Sequence, residues 1–237
     1  MNAPVAGSSR PHRSALDALE AALPKIVLGP TLICSLLFVY GFIAWTGVLS
    51  FTRSRLLPNY EFVGFTQYLK LFENERWRVA LENLGVFAGL FVFVCMAVGL
   101  LLAILLDQKI RAEGFLRSIY LYPMALSFIV TGTAWKWILN PGLGVERLVR
   151  QMGFPGFTFD WLVNPKMSIY TVVIAGVWQS SGFVMALFLA GLRGIDDSII
   201  KAAQVDGATM PRIYWSIIIP SLRPVFFSAV MILAHIA

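Results

Sequence analysis

Four long runs without a charged residue constrain the fold of this chain more than any other feature of its sequence. They cover residues 26–51, 84–106, 118–135 and 167–192, and a fifth apolar run continues from Pro224 to Ala237. A helix needs about 20 apolar residues to cross the hydrocarbon core of a bilayer. The runs therefore predict an all-α integral membrane protein, built as a multi-span helical bundle.

The composition argues against a soluble protein. Of the 237 residues, 58% are hydrophobic and 14% are charged, whereas a typical soluble domain has about 25% charged residues. The net charge of +6 would also suit a nucleic-acid-binding protein. Basic residues commonly flank membrane helices, however, so we expect the lipid bilayer as a partner and no nucleic acid.

The chain divides into an N-terminal segment, residues 1–25, and a transmembrane domain, residues 26–237. The segment contains a short amphipathic stretch at 14–23, which Ser14 could cap. The spans are predicted over about 26–51, 83–106, 117–139, 167–192 and 221–237. The fifth is barely long enough to cross a bilayer, because a helix rises about 1.5 Å per residue. We therefore expect the complete protein to be longer.

The charges of the loops do not orient the chain. Residues 1–25, 107–117 and 193–223 together carry 10 lysines and arginines, and residues 52–82 and 136–166 carry 9. The positive-inside rule needs a clear excess on one side. The orientation of the chain must therefore be inferred from other features.

The most patterned polar stretch, residues 193–220, lies between the fourth and fifth spans. The aspartates at 196–197 can cap a helix that begins at 198, and Gly207 can end it, because glycine readily adopts positive φ. Thr209 can cap a second helix that runs to Pro220. Two short helices joined at a glycine between two spans could form a binding site for another protein. The alternative is an ordinary interhelical loop.

This stretch resembles the signature loop of permease subunits of binding-protein-dependent ABC importers. The family pattern is Glu-Ala-Ala-x3-Gly-x9-Ile-x-Leu-Pro, and sugar importers add Asp-Gly-Ala around the glycine. Isoleucine replaces the Leu of this pattern, and lysine replaces its leading Glu. Because lysine is positively charged, a salt bridge from this first position would need an acidic partner. The matching positions, predicted to couple to the ATPase, are Lys201, Ala202, Ala203, Asp206, Gly207, Ala208, Ile217, Ile219 and Pro220.

The resemblance extends along the chain to the glucose/mannose-type sugar permeases. The stretches that carry it include Phe62-Val63-Gly64-Phe65, Leu121-Tyr122-Pro123 and Asn140-Pro141. It implies the ABC importer permease fold of six helices, five of them in this chain and a sixth missing at its C-terminus. It also implies a bacterial cytoplasmic (inner) membrane location, multi-pass, with the N-terminus and the signature loop in the cytoplasm.

The resemblance further implies a division of labour between subunits. The chain has no Gly-Lys pair, and hence no P-loop to cradle ATP phosphates. We expect it to be no enzyme and to bind no cofactor, with ATP and Mg on a partner. The implied partners are a cytoplasmic P-loop ATPase dimer, a second permease subunit and a periplasmic or extracellular sugar-binding protein.

Two features of the signature loop suggest how it would meet the ATPase. Residues 197–219 are implied to dock in a cleft on that subunit. Gly207 would let the two short helices meet closely, so a bulky residue there is predicted to uncouple transport from hydrolysis. Ala202 and Ala203 are small enough for close approach of a partner, although helix propensity alone also explains them.

Polar residues at bilayer depth tend to face a cavity. On that basis Ser127, Trp178, Gln179 and Ser180 are predicted to line the path of a sugar. Hydrogen bonding between helices is the alternative explanation for such residues. Functional alternatives are an ABC permease for oligosaccharides or glycerol phosphate, or a stand-alone secondary transporter. A phospholipid-synthesising transferase is disfavoured, because no acidic residue follows Asp206 to complete a metal site.

Overall fold

The computed structural model describes residues 15–108 and 110–237, and the side chains of this part from Leu23 onward. It is helical, with only an isolated bridge between Thr52 and Phe62 in these ranges. Among the described residues, three helices are long and apolar enough to cross a membrane, and two bent helix pairs raise the number to five if each pair is one span. The predicted all-α multi-span architecture is confirmed.

The first of two compact units covers residues 1–77. Helix α1, Ala15–Ser35, continues through a π-helical turn into α2, Gly41–Ser50. From Ala15 onward the amphipathic stretch is thus continuous with the helix that carries the first span rather than a separate helix, and Ser14 lies outside the described residues. No side chain from Leu23 to Ser50 is buried, and a helix that is apolar all round suits a lipid environment.

A cluster of aromatic side chains packs at the end of the first span. Phe51 packs on Phe62, Phe65 and Tyr68 with ring centroids 6.4, 5.3 and 5.6 Å away. The hydroxyls of Tyr68 and Ser50 share a 2.7 Å hydrogen bond. The polar stretch that begins at 52 and includes α3, Thr66–Phe72, is therefore folded back onto the span instead of forming an open loop.

The second unit, residues 78–237, holds the remaining helices. Its core lies where α4 and α8 pack on each other and on α12, with Cys95, Met185 and Leu233 fully buried. The helices that build it are α4 Glu75–Asp107, α5 Glu113–Leu121, α6 Phe128–Ile138, α7 Val145–Gln151 and α8 Ser168–Arg193, followed by α9 to α12, whose bounds are given below.

The third predicted span, 117–139, is wrong as a continuous helix. Its two halves, Glu113–Ala125 and Phe128–Ile138, meet at an angle of 101°. Pro123 lies in the last turn before the bend, where proline cannot donate a backbone hydrogen bond. Leu126 is extended, with ψ of 145°, and Ser127 caps α6 by accepting a 3.3 Å hydrogen bond from the Ile129 amide.

Glycines set the closest helix contacts in the second unit. A Cβ on Gly182 of α8 would lie 1.8 Å from the carbonyl oxygen of Tyr120, and one on Gly99 of α4 would lie 2.6 Å from Val184. Small residues let helix backbones approach when lipid supplies no hydrophobic driving force between helices. Helix α8 is consequently the central helix of this unit.

A buried carboxylate organises the loop between α6 and α8. Glu146, only 7% exposed, bonds the Arg150 guanidinium at 2.7 Å and accepts a 3.1 Å hydrogen bond from the Phe159 amide. Arg150 in turn donates to the carbonyl of Phe157 at 2.7 Å. Because a buried charge requires a partner, this network fixes α7 against the chain that follows it.

Candidate functional site

The signature loop forms the predicted pair of short helical segments. Helix α9, Asp197–Val205, begins one residue earlier than expected and is capped by Asp196, whose carboxylate accepts a 2.8 Å hydrogen bond from the Ser198 amide. That hydrogen bond lowers the pKa of Asp196, because it stabilises the charged carboxylate. The second segment comprises α10 Met210–Ile213, a π-helical turn Tyr214–Ile218 and α11 Ile219–Ser221, and α12 Arg223–Ile236 follows.

A Schellman turn connects the two segments. Gly207 has a φ of 81°, its amide donates to the carbonyl of Gln204, and the Ala208 amide donates to Ala203, both at 3.0 Å. Ala203 and Ala208 also pack against the core, as the apolar residues at these two positions of the motif commonly do. The Ala-x3-Gly-Ala part of the signature is thus explained by how the first helix ends.

The structure corrects the expected reason for Gly207. A Cβ at this position would meet no atom within 4 Å, so the glycine does not bring two helices into close contact. Its positive φ is the feature that a side chain would disturb, because L-residues adopt this region at a cost.

The nine signature positions differ in how far their side chains are exposed. Those on the exposed side form what we call the coupling surface, and the others hold the loop against the rest of the second unit. Ala203 belongs to the second group, so its small size serves packing within this chain. Exposed are Lys201, Ala202, Asp206 and Gly207; partly buried are Ala203, Ala208, Ile217, Ile219 and Pro220.

Large apolar side chains outside the nine signature positions are also exposed on these two helical segments. Val205 is 87% exposed and Trp215 is 77% exposed, and Ile199 and Met210 are exposed as well. Exposed apolar residues next to charges such as Lys201 are typical of a surface that binds another protein.

The four predicted pathway residues do not line one cavity. Gln179 and Ser180 line a cavity of about 270 Å³ together with Thr131. Trp178 faces a larger cavity of about 650 Å³, where it packs edge-on against Trp135 at 5.9 Å. Ser127 lines neither cavity, since its hydroxyl caps α6.

The smaller cavity combines polar groups with aromatic faces. Gln179 donates a 3.0 Å hydrogen bond to the carbonyl of Leu126 and so ties α8 to the bend before α6. The hydroxyl of Thr131 is buried and has no hydrogen-bond partner, although it lines this cavity. Stacked rings of Phe87 and Phe91, 5.3 Å apart, also line the cavity.

The comparisons with known proteins decide the family. Residues 95–236 match the family described as the binding-protein-dependent transport system inner membrane component. The chain belongs to this family. A probable ABC transporter permease protein of Pyrococcus horikoshii is 40% identical over 215 residues, which is 89% of this chain and 74% of the relative. The recognition from sequence, as a permease subunit of an ABC importer, is therefore confirmed.

Two further matches describe what this permease is similar to. The xylose/arabinose import permease protein of Haloferax volcanii is 38% identical over 198 residues, covering 82% of the permease and 62% of the relative. The crystal structure of a bacterial alginate ABC transporter, in complex with an alginate pentasaccharide-bound periplasmic protein, matches with a TM-score of 0.79. At 22% identity, over 94% of the permease and 74% of that chain, the second match shows a shared fold.

The site contains residues that sequence reasoning missed. Arg193, at the end of α8, pairs with Glu113 and Asp107 at the ends of two other helices. Thr131 is one of several polar residues of the third span, and hydrogen bonding between helices was the favoured explanation for its hydroxyl; in the structure this hydroxyl is buried and has no hydrogen-bond partner. The sequence carried no signal for the ion pairs of Arg193, because they depend on contacts between distant segments.

Proposed function

We propose that this permease forms part of the path of a sugar in an ATP-driven importer, and that a separate P-loop ATPase docks on the coupling surface. The observation that carries the proposal is the rigid helix–turn–helix of residues 197–221, with apolar side chains exposed beside charges. ATP and Mg would be bound and hydrolysed on the ATPase. The coupling surface and the N-terminus would then face the cytoplasm of a bacterial cell.

The proposed importer has further subunits. A second permease subunit would complete the path, and an external sugar-binding protein would deliver the substrate. The family description names transport that depends on a binding protein, and the alginate transporter was solved with its periplasmic protein. Glucose or mannose is the substrate that the sequence resemblance supports, and the Haloferax relative, named for xylose and arabinose, supports a monosaccharide in general.

Substituting one exposed valine tests the ATPase docking. Val205→Arg is expected to abolish co-purification of a P-loop ATPase with the tagged full-length protein from a strain that expresses the neighbouring genes. An arginine at the end of α9 is compatible with the helix dipole, so the helix itself is preserved. The matched control is Val163→Arg, at an exposed position between α7 and α8.

The wild type and the control should both retain the ATPase. If the wild-type protein purifies without any ATPase, the permease works as a stand-alone transporter and the proposal fails. If Val163→Arg removes the ATPase as efficiently as Val205→Arg, the coupling surface is wrongly placed.

We place the sugar contact at the smaller cavity rather than the larger one. A sugar needs hydrogen-bond partners for its hydroxyls and benefits from contact with aromatic faces. Gln179, Ser180 and Thr131 can supply the hydrogen-bond partners. A buried hydroxyl without a partner is rare, because it forgoes a hydrogen bond that water would give. Among the described residues that line the larger cavity, none has a buried polar side-chain atom without a partner, so Trp178 is the weaker candidate.

Thr131→Val is expected to weaken uptake of the transported sugar about fivefold in apparent affinity, since a hydrogen bond is worth about 1 kcal/mol. The measurement is uptake of labelled glucose into cells, with unlabelled mannose, xylose, maltose and glycerol phosphate as competitors. Thr133→Val is the control, because Thr133 lies on the same helix and is exposed, with its hydroxyl satisfied by the Ile129 carbonyl at 2.8 Å. Equal effects of the two variants would contradict this placement.

A further inference from the structure

Three helix ends meet in an ion-pair cluster beside the signature loop. The Nη2 atom of Arg193 lies 2.7 Å from Oε1 of Glu113, and its Nε atom lies 3.8 Å from Oδ1 of Asp107. Arg193 is the last residue of α8, Glu113 the first of α5 and Asp107 the last of α4. The cluster therefore joins three helices at the point where the chain leaves α8 for α9.

The three charges of this cluster differ in how they interact with the dipoles of the helices that carry them. Arg193 at a helix C-terminus and Glu113 at a helix N-terminus each interact favourably with the helix dipole, whereas Asp107 at a C-terminus does not. Arg193 is the cation that offsets this cost for Asp107. Removing the guanidinium would take the same cationic partner from both carboxylates.

The far end of the signature loop meets the same region. Tyr214, which begins the π-helical turn after α10, lies beside Asp107 and Gln108 and packs against the buried core. Both the entry to the loop, at Arg193, and its second helical segment thus contact the junction between α4 and α5. A displacement of the loop would act on that junction at two points.

We propose that Arg193 is a positioning residue that transmits movement of the signature loop to the ends of α4 and α5, and so sets how much sugar is moved per ATP hydrolysed. This inference rests on the proposed function. The three side chains are 44%, 29% and 30% exposed, and partly exposed ion pairs are weak enough to break and reform. A contact of this strength suits a cluster that rearranges when rigid helices shift between two states.

The test is a double-substitution cycle in the reconstituted complete transporter. The variants are Arg193→Gln, Glu113→Gln and both together, with Arg193→Lys as the conservative variant. Three quantities are measured: co-purification of the ATPase with the tagged permease (ATPase capture), the rate of ATP hydrolysis, and the amount of sugar transported per ATP. The control pair is Arg53→Gln and Glu61→Gln, which removes an exposed ion pair of 3.1 Å in the first unit.

We expect Arg193→Gln to leave ATPase capture intact and to lower the sugar transported per ATP about two- to fivefold, the range of a weak ion pair. The double variant should be no worse than the more affected single variant, because the two residues act through one contact. Arg193→Lys should recover part of the loss. The control pair should change none of the three quantities.

The outcomes separate the two proposals. If the wild-type protein captures no ATPase, the proposed function fails and this inference fails with it. If the wild type captures the ATPase but the losses from Arg193→Gln and Glu113→Gln add up, or the transport ratio is unchanged, only the role of Arg193 is overturned. Loss of ATPase capture in Arg193→Gln and Arg193→Lys alike would instead make Arg193 part of the docking surface.

Discussion

Replacing Gly182 with alanine is expected to lower the free energy of unfolding of the permease by about 3 kcal/mol, the upper end of the usual cost of overpacking. The new Cβ would lie 1.8 Å from the Tyr120 carbonyl oxygen and 2.6 Å from its carbon. Both atoms belong to the backbone of α5, next to the bend before α6, so no side-chain rotation can relieve the clash. Helices α5 and α8 must separate.

Thermal unfolding of the purified protein in mild detergent, followed by tryptophan fluorescence, measures this loss. A loss of this size corresponds to a fall of about 6–12 °C in Tm for a chain of this length. Gly132→Ala on α6 is the matched control, because its Cβ would meet nothing within 4 Å. There the helix propensity of alanine should raise stability by about 1 kcal/mol. A fall in Tm of similar size in both variants would contradict the close approach at Gly182.

The helical structure of the long apolar runs could be predicted because the bilayer leaves few alternatives. Every backbone polar group in the hydrocarbon core must be satisfied within the protein, so long uncharged runs become helices. The first, second and fourth runs did so, although α4 begins at Glu75, before its apolar run. The bend in the third run was missed, because residues 118–135 are uncharged on both sides of it. Pro123 and Ser127 were the local signals: a residue that cannot donate, followed by a helix cap.

The signature loop was located from sequence, but the roles within it were only partly foreseeable. A motif records which residues a fold needs without separating those that build the turn from those that meet a partner. Ala203 and Ala208 build the Schellman turn and pack inward, whereas Val205, outside the motif, is the more exposed residue. Which side of a nine-residue helix faces the bundle is settled by tertiary packing.

The ion-pair cluster illustrates contacts that a single sequence does not reveal. Glu113 and Arg193 lie 80 positions apart, and either could equally have been a solvated charge at the end of a span. Their meeting depends on the close packing of α5 on α8, where Gly182 lies against the backbone of Tyr120. Nothing in the residues around either charge indicates which helices pack together, so the cluster could not be predicted from the sequence.

Replacing Gly207 with valine is expected to reduce sugar transport about tenfold while the protein still folds and inserts. The φ of 81° at this position costs an L-residue about 1–2 kcal/mol, and more for a β-branched one. The Schellman turn would relax to avoid that cost, which would displace the second helical segment relative to α9. A free-energy cost of about 1.4 kcal/mol changes an equilibrium constant tenfold. We therefore expect the distorted turn to uncouple transport from ATP hydrolysis by about this factor.

A substitution series separates backbone strain from side-chain bulk at Gly207. Asparagine tolerates the left-handed region better than alanine, and alanine better than valine. Transport per ATP should therefore fall in the order Asn, Ala, Val, although Asn is larger than Ala. Gly153→Val imposes the same kind of strain, at a φ of 104°, in the loop between α7 and α8, and should leave the transport ratio unchanged. If loss instead follows side-chain volume, with Asn worse than Ala, the ATPase itself must pack against Gly207, since no described residue beyond its chain neighbours has an atom within 4 Å of the added Cβ.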